Sequence, residues 1–406
     1  MHVIEGAINS PKGFTAAGKH VGVKKKRKDL SIVLSENPAA VAAMFTTNKV
    51  KAAPVVWNMD VYEKGKPIRA IVVNSGNANA CTGKKGMDDT VLMAETTAES
   101  FGIKREEVIV ASTGVIGVPL PIDIIRDGIK ELSKDLDEEL ISGLNAAEGI
   151  MTTDTTIKNI AVEIEIGGKA VIVAGMAKGS GMIHPNMATM LSFVTTDADI
   201  SQELLRKALK QIGKDTYNMI SVDGDTSTND MVVVMANGMA GNEKITEENK
   251  DYRTLYKALY HINEHLAKEI VKDGEGASKF IEVKITGAKT TEDARKMVKS
   301  VLTSNLVKTA MFGEDANWGR VLCAMGYSQA DFDPEKASLE FEASGQKILL
   351  LKEGLPVAFD EDYAYELLQN RDIKIHATLE DGEAQATGWG CDLSYDYVKI
   401  NGEYRT

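Results

Sequence analysis

The chain has 406 residues, 43% of them hydrophobic and 26% charged, the composition of an ordinary globular protein with room for two or three domains. The net charge of 47 − 59 = −12 and the pI near 5.2 exclude a general nucleic-acid binder, which would present a basic surface. No run of 18 apolar residues suggests a membrane span, and Cys81, Cys323 and Cys391 lie too far apart for a zinc site or a disulfide framework, which fits a reducing, cytoplasmic setting.

The opening Met1-His-Val-Ile-Glu-Gly-Ala lacks the basic and apolar regions of a secretory signal. Lys24-Lys-Lys-Arg-Lys28 is the one basic block; Leu30, Ile32 and Val33 follow as a strand-like run, so the block reads as the charged end of a hairpin. Residues 70–73 read as a strand, as do 108–111. The second runs into Ser112-Thr113-Gly114, a Gly-containing turn able to aim a hydroxyl and a backbone N–H into a cleft. Residues 160–166 and 170–174 form a hairpin around Gly167-Gly168.

A strand over 191–195 precedes a helix beginning near Ser201, whose apolar face is Leu204, Leu205, Ala208, Leu209 and Ile212. A longer helix carries Leu255, Leu259, Ile262, Leu266 and Ile270 and stops near Gly274. Another follows the start signals Thr290, Thr291, Glu292 and Asp293, with Ala294, Met297, Val298, Val301 and Leu302 on one face. Strands over 339–341, 348–351, 373–377 and 384–387 place a smaller C-terminal domain at about 280–406. Hairpins mixed with helices predict α+β layers.

One segment carries chemistry: Lys178-Gly-Ser-Gly-Met-Ile-His-Pro-Asn-Met-Ala188-Thr189-Met-Leu191. If the Ala188–Thr189 bond breaks, Thr189 holds a nucleophilic hydroxyl and a free α-amine on one residue. A threonine hydroxyl needs a base, and an α-amine with a pKa of about 8 is close to ideal. The chemistry therefore requires backbone cleavage first. The Thr189 hydroxyl attacks the Ala188 carbonyl, and the ester is hydrolysed. Read without that chemistry, Thr189 is an ordinary strand or cap threonine.

Asp223-Gly-Asp-Thr-Ser-Thr-Asn-Asp230 fails as a calcium loop, with Thr228 at the sixth position and Val234 at the twelfth. It reads as a structural turn, and no metal is expected. Asn74, Asn77 and Asn79 around Gly76 are candidates for a cleft wall, and His184 for part of a turn.

The 178–191 segment closely resembles the self-cleavage segment of the ornithine acetyltransferase family of arginine biosynthesis. The resemblance recurs in Val73-Asn-Ser-Gly-Asn-Ala-Asn-Ala-Cys81-Thr-Gly83, Ser112-Thr-Gly-Val-Ile-Gly117, the 223–230 segment, Asp315-Ala-Asn-Trp-Gly-Arg320 and the tail Lys399-Ile-Asn-Gly-Glu-Tyr-Arg-Thr406. It implies an αββα-type sandwich of mixed sheets and two fragments, 1–188 and 189–406, associated as a heterotetramer of two of each.

The implied reaction moves an acetyl group from N2-acetylornithine to glutamate through an acetyl-threonine. It needs no cofactor, although some members also accept acetyl-CoA as a donor. The resemblance points to Thr113 and Gly114 as oxyanion donors and to Thr152, Lys178, Glu275, Asn401 and Thr406, with Thr189, as substrate contacts. Thr153 competes with Thr152. Lys178 suits a substrate carboxylate, and the flanking glycines let Glu275 approach a ligand closely. Gly402 stands where relatives often carry Ala, which loosens the tail. The competing readings are a self-processed amidase or aminopeptidase using water as acceptor, and a non-enzymatic binding protein, which an uncleaved Thr189 would favour.

Overall fold

The computed structural model describes residues 1–184 and 190–403. The long strand Leu30–Phe45 organises it. Residues 30–35 pair with Phe14–Lys19 on one side, and the same stretch pairs with Ile68–Asn77 on the other. Residues 40–45 pair instead with Met231–Ala236. The register shifts between Leu34 and Ala39, beside Pro38, which has no N–H to give a ladder.

The resulting nine-stranded sheet runs His2–Ile4, Lys158–Ile166, Lys169–Lys178, Leu191–Thr196, Met231–Ala236, Leu30–Phe45, Ile68–Asn77, Val108–Val115, with Phe14–Lys19 also on the long strand. It is mixed: Leu191–Thr196 lies parallel to Met231–Ala236, and Ile68–Asn77 parallel to Val108–Val115.

Alternation along each strand separates two faces. Val33, Ile71, Val73, Ile109 and Ala111 from one wing share a buried cluster with Met176, Leu191, Phe193, Met231 and Val233 from the other. The two wings are therefore stacked face to face. Their outer faces carry helices. Ile32, Val72 and Val110 pack with Met93 of Gly83–Phe101 and with Ile125 and Ile129 of Ile122–Leu132. Val173, Val194 and Val232 pack with Leu205 and Leu209 of Gln202–Asp215 and with Ile262 and Leu266 of Lys250–Lys272. The layering is helix, sheet, sheet, helix. The stretch Val108-Ile-Val-Ala, covered on both faces, is apolar throughout.

A second, seven-stranded sheet runs Leu355–Pro356, Gln346–Lys352, Ser338–Ala343, Asp372–Thr378, Phe280–Ala288, Ala384–Cys391, Ile220–Ser221. Its last strand comes from well before residue 280. Val283 of this sheet and Val298 of the covering helix Thr291–Thr303 share one buried cluster with Ile262 and Val232. The expected helix starts are present: Ser201 accepts from the Leu204 N–H at 3.4 Å and Thr290 from the Asp293 N–H at 3.0 Å.

Two local readings change. Residues 112–114 do not turn; they continue the strand Val108–Val115, because its neighbour Ile68–Asn77 pairs with it to the end. The basic block does lie in the connection between two paired strands, and Lys25 and Lys26 are exposed, but Lys24, Arg27 and Lys28 reach back onto the body of the protein. Lys24 Nζ donates to the Met151 carbonyl at 2.9 Å, Arg27 to the Asp154 carbonyl at 2.9 Å, and Lys28 pairs with Glu148 at 2.5 Å. Burial lowers the Lys24 pKa to about 8, against the nearby Asp29 carboxylate.

Candidate active site

A cavity of about 210 Å³ opens where the ends of the stacked wings meet the end of the helix Lys250–Lys272. Thr113, Gly114, Thr152, Lys178, Glu275 and Asn401 all line it, from five separate stretches of chain. Thr153 lines it as well, beside Thr152.

One wall is made of strand. Gly114 sits at φ +133°, and a Cβ there would lie 2.3 Å from the Gly76 carbonyl carbon and 2.5 Å from the Asn77 nitrogen, so only glycine fits. The asparagines of the 73–83 motif fix this wall from behind. Asn74 accepts from Ser112 Oγ at 2.6 Å and donates to the Asn77 carbonyl at 3.0 Å, while Asn77 donates to the Val118 carbonyl at 3.0 Å. Asn79 bonds the Gly86 carbonyl and Thr90 Oγ1, both at 2.9 Å. Asn229 adds bonds to the Ala78 and Ser112 carbonyls at 2.5 and 2.8 Å.

Across the cavity the Lys178 ammonium, only 8% exposed, donates to Thr113 Oγ1 at 3.1 Å. Burial lowers its pKa, and the carboxylates of Asp154, Asp230 and Glu275 oppose that shift. Asp230 is itself buried, with Oδ2 lacking a hydrogen-bond partner among the described residues, and burial raises its carboxyl well above the usual range.

The opposite wall is looser. Asn401 Nδ2 donates to Glu275 Oε2 at 2.9 Å, and the helix bearing it, Tyr395–Glu403, buries none of its residues. Ser394 anchors its start by donating to the Gly276 carbonyl at 2.6 Å. A Cβ at Gly402 would meet nothing within 4 Å.

Beneath both walls lies a buried ion network. Lys158, fully buried, sits 2.7 Å from Asp154 Oδ1 and 2.5 Å from Asp273 Oδ2. Asp154 also accepts from the Gly179 N–H at 2.6 Å and the Thr152 N–H at 2.9 Å. Burial alone would raise the Asp154 pKa; Lys158, Lys178 and the Gly179 N–H outweigh it and hold the group at about 2. Removing one partner from such a buried pair costs roughly 3–5 kcal/mol, because the other charge is left without compensation.

The segment 223–230 braces the chain at Met182–His184, just before the Ala188–Thr189 segment. Asp223 accepts from the Met182 and Ile183 N–H groups at 2.6 and 2.8 Å, and Thr226 donates to the His184 carbonyl at 2.9 Å. On the far side, the Met231 N–H donates to the Met190 carbonyl at 3.0 Å, and Leu191 pairs with Lys178. Ala188, Thr189 and Thr406 lie outside the described residues. The chain on both sides of Ala188–Thr189 is thus tied down, and Thr189 is two residues from the register partner of Lys178.

Sequence reasoning missed Asp154, Lys158, Asp273 and the bracing role of Asp223. Lys158 left a trace, as a lysine in phase with the core-facing Ile160, Val162, Ile164 and Ile166 of the strand Lys158–Ile166. The long-range pairing of Lys158 with Asp273 had none.

A family model described as the ArgJ family matches residues 15–406. The arginine biosynthesis bifunctional protein ArgJ of Caldanaerobacter subterraneus is 53% identical over 406 residues, covering all of both chains. Its namesake in Thermotoga neapolitana is 52% identical over 397 residues, 98% of this chain and 99% of that one. The crystal structure of ArgJ from Bacillus halodurans is 49% identical and superposes with a TM-score of 0.51, covering 53% of this chain and 100% of its own. With its whole length matched at this identity, the chain belongs to the ArgJ family.

Proposed function

We propose that Thr189, once freed by cleavage after Ala188, takes the acetyl group of N2-acetylornithine and passes it to glutamate. Membership of the ArgJ family makes the chain an acetyltransferase of arginine biosynthesis. The observation that carries the finer reading is the convergence of Thr113, Gly114, Thr152, Lys178, Glu275 and Asn401 on one cavity beside the Lys178–Leu191 pair.

In this reading the Thr189 α-amine takes the proton from its own hydroxyl, which attacks the acetyl carbonyl. Thr113 and the Gly114 N–H stabilise the oxyanion. Lys178 holds the substrate carboxylate, and Glu275, with Asn401, holds the side-chain ammonium. Thr152 and Thr406 complete the contacts. Ornithine leaves with the proton held on the amine. Glutamate then attacks the acetyl ester, gaining over water by being bound in place. The fragments 1–188 and 189–406 stay together, two of each, in the cytoplasm. No cofactor takes part, and acetyl-CoA is an optional second donor.

The test is an assay of purified protein with N-acetylornithine plus glutamate, beside acetyl-CoA plus glutamate, together with N-terminal sequencing. The reading expects N-acetylglutamate from the first mixture and a fragment beginning Thr-Met-Leu. Release of acetate in preference to N-acetylglutamate would move the enzyme to the amidase class.

A further inference from the structure

We propose that Lys158 is a positioning residue of the acyl-transfer centre, holding three lining loops of the cavity in register from beneath. Its side chain is fully buried and lines no part of the cavity, so it acts through its partners. Those partners reach three of the loops that line it. Asp154 fixes Thr152 through its N–H and the base of the cleavage loop through the Gly179 N–H. Asp273 accepts from the Thr155 and Thr156 N–H groups, at 3.0 and 3.3 Å to Oδ2, and so fixes the far end of the Thr152 loop. The Asp273 carbonyl accepts from Ser180 Oγ at 2.6 Å, and the Ser180 carbonyl accepts from the Glu275 N–H at 2.9 Å.

The ammonium of Lys158 is the cation that lets these two carboxylates sit close together out of water. Without it, two buried anions repel and draw in solvent. The first consequence is separation of the Thr152, Gly179–Gly181 and Glu275 segments. Glu275 and Lys178 bracket the substrate in the proposed function, so their spacing, and with it substrate affinity, responds before the fold does. The inference rests on the acetyl-transfer reading.

The test compares Lys158→Met, Lys158→Arg and Asp273→Asn with the wild-type protein. Active sites are counted as acetylated 189–406 fragment by denaturing mass spectrometry, so that uncleaved or misfolded molecules drop out. For Lys158→Met the expected result, per counted site, is a rise of roughly 10–100-fold in KM for N-acetylornithine, the scale of an ångström-sized misplacement, with a smaller fall in kcat. Lys158→Arg recovers part of the loss by restoring the charge, and Asp273→Asn, which keeps the shape, raises KM less. Wild-type KM and kcat per counted site in Lys158→Met would overturn the proposal, whatever its melting temperature. Should that variant not fold, the same result in Asp273→Asn would do so. A wild-type protein that transfers no acetyl group would overturn the acetyl-transfer reading itself.

Discussion

The two sides of the cavity are built differently. Thr113, Gly114 and Lys178 stand on strands inside the sandwich, backed by a lattice of asparagine bonds. Glu275 and Asn401 stand on a loop and on a helix with no buried residue. The contrast matches what each side is asked to do in the proposed reaction. Stabilising a developing oxyanion depends on donors fixed before the reaction, whereas gripping and releasing a flexible amino acid tolerates movement.

Substitutions on the strand side should therefore be the more damaging. Gly114→Ala is the severest. Its Cβ would overlap the backbone of Gly76 and Asn77, and φ is +133°, so the loss should be roughly 3 kcal/mol or more. Denaturant unfolding should show it, along with little cleaved protein on a denaturing gel. Near-wild-type stability would mean that the strand pair can move apart, and the rigid-wall view would fall.

Thr113→Ala removes a side-chain donor without disturbing the backbone. In correctly cleaved enzyme it should lower kcat by roughly 10²–10³. A kcat close to wild type would take Thr113 out of the oxyanion site.

The chain around His184 should be sensitive to acid. Burial, with a contribution from Lys299, lowers the His184 pKa to about 4. Between pH 6.5 and 4 the unfolded chain binds a proton that the folded one refuses, so stability falls as pH drops through that window. Allowing for solvent screening, the loss is up to about 2 kcal/mol. Asp154, held at about 2, works in a separate window: its contribution is lost only below the usual carboxylate range. Urea unfolding of the wild-type and His184→Asn proteins at pH 7 and pH 4.5 separates His184 from His265, whose pKa burial also lowers, and an equal loss in both proteins would remove His184 from the account.

Gly181→Ala is the mildest change. Its Cβ would lie 2.4 Å from the Glu275 carboxylate, the far end of a flexible side chain, so the carboxylate swings aside and the fold survives. KM for N-acetylornithine should rise about tenfold, equivalent to about 1.4 kcal/mol, with stability nearly unchanged. An unchanged KM would show that Glu275 does not grip the substrate.

Local pattern made much of this architecture legible. The apolar stripe through Leu204, Leu205 and Ile212 and the caps Ser201 and Thr290 reported their helices, because those signals lie within a few residues of each other. The turn expected at 112–114 failed because glycine reads as a break, while here it is needed for the close approach of a neighbouring strand. The inward course of Lys24, Arg27 and Lys28 was hidden because their partners lie about 120 residues away. The same holds for Lys158 and Asp273, 115 residues apart. Residues that line the cavity were recognisable by motif; residues that hold those in place meet only in the folded chain.

The claim at the centre of the account is that Thr189 carries the acetyl group between the two substrates. It is tested most directly by incubating the purified protein with N-acetylornithine alone and weighing the denatured fragments. The account predicts one added acetyl group on the 189–406 fragment, none on 1–188, and its loss on adding glutamate. A 189–406 fragment that stays unmodified while the same preparation transfers acetyl groups would contradict it.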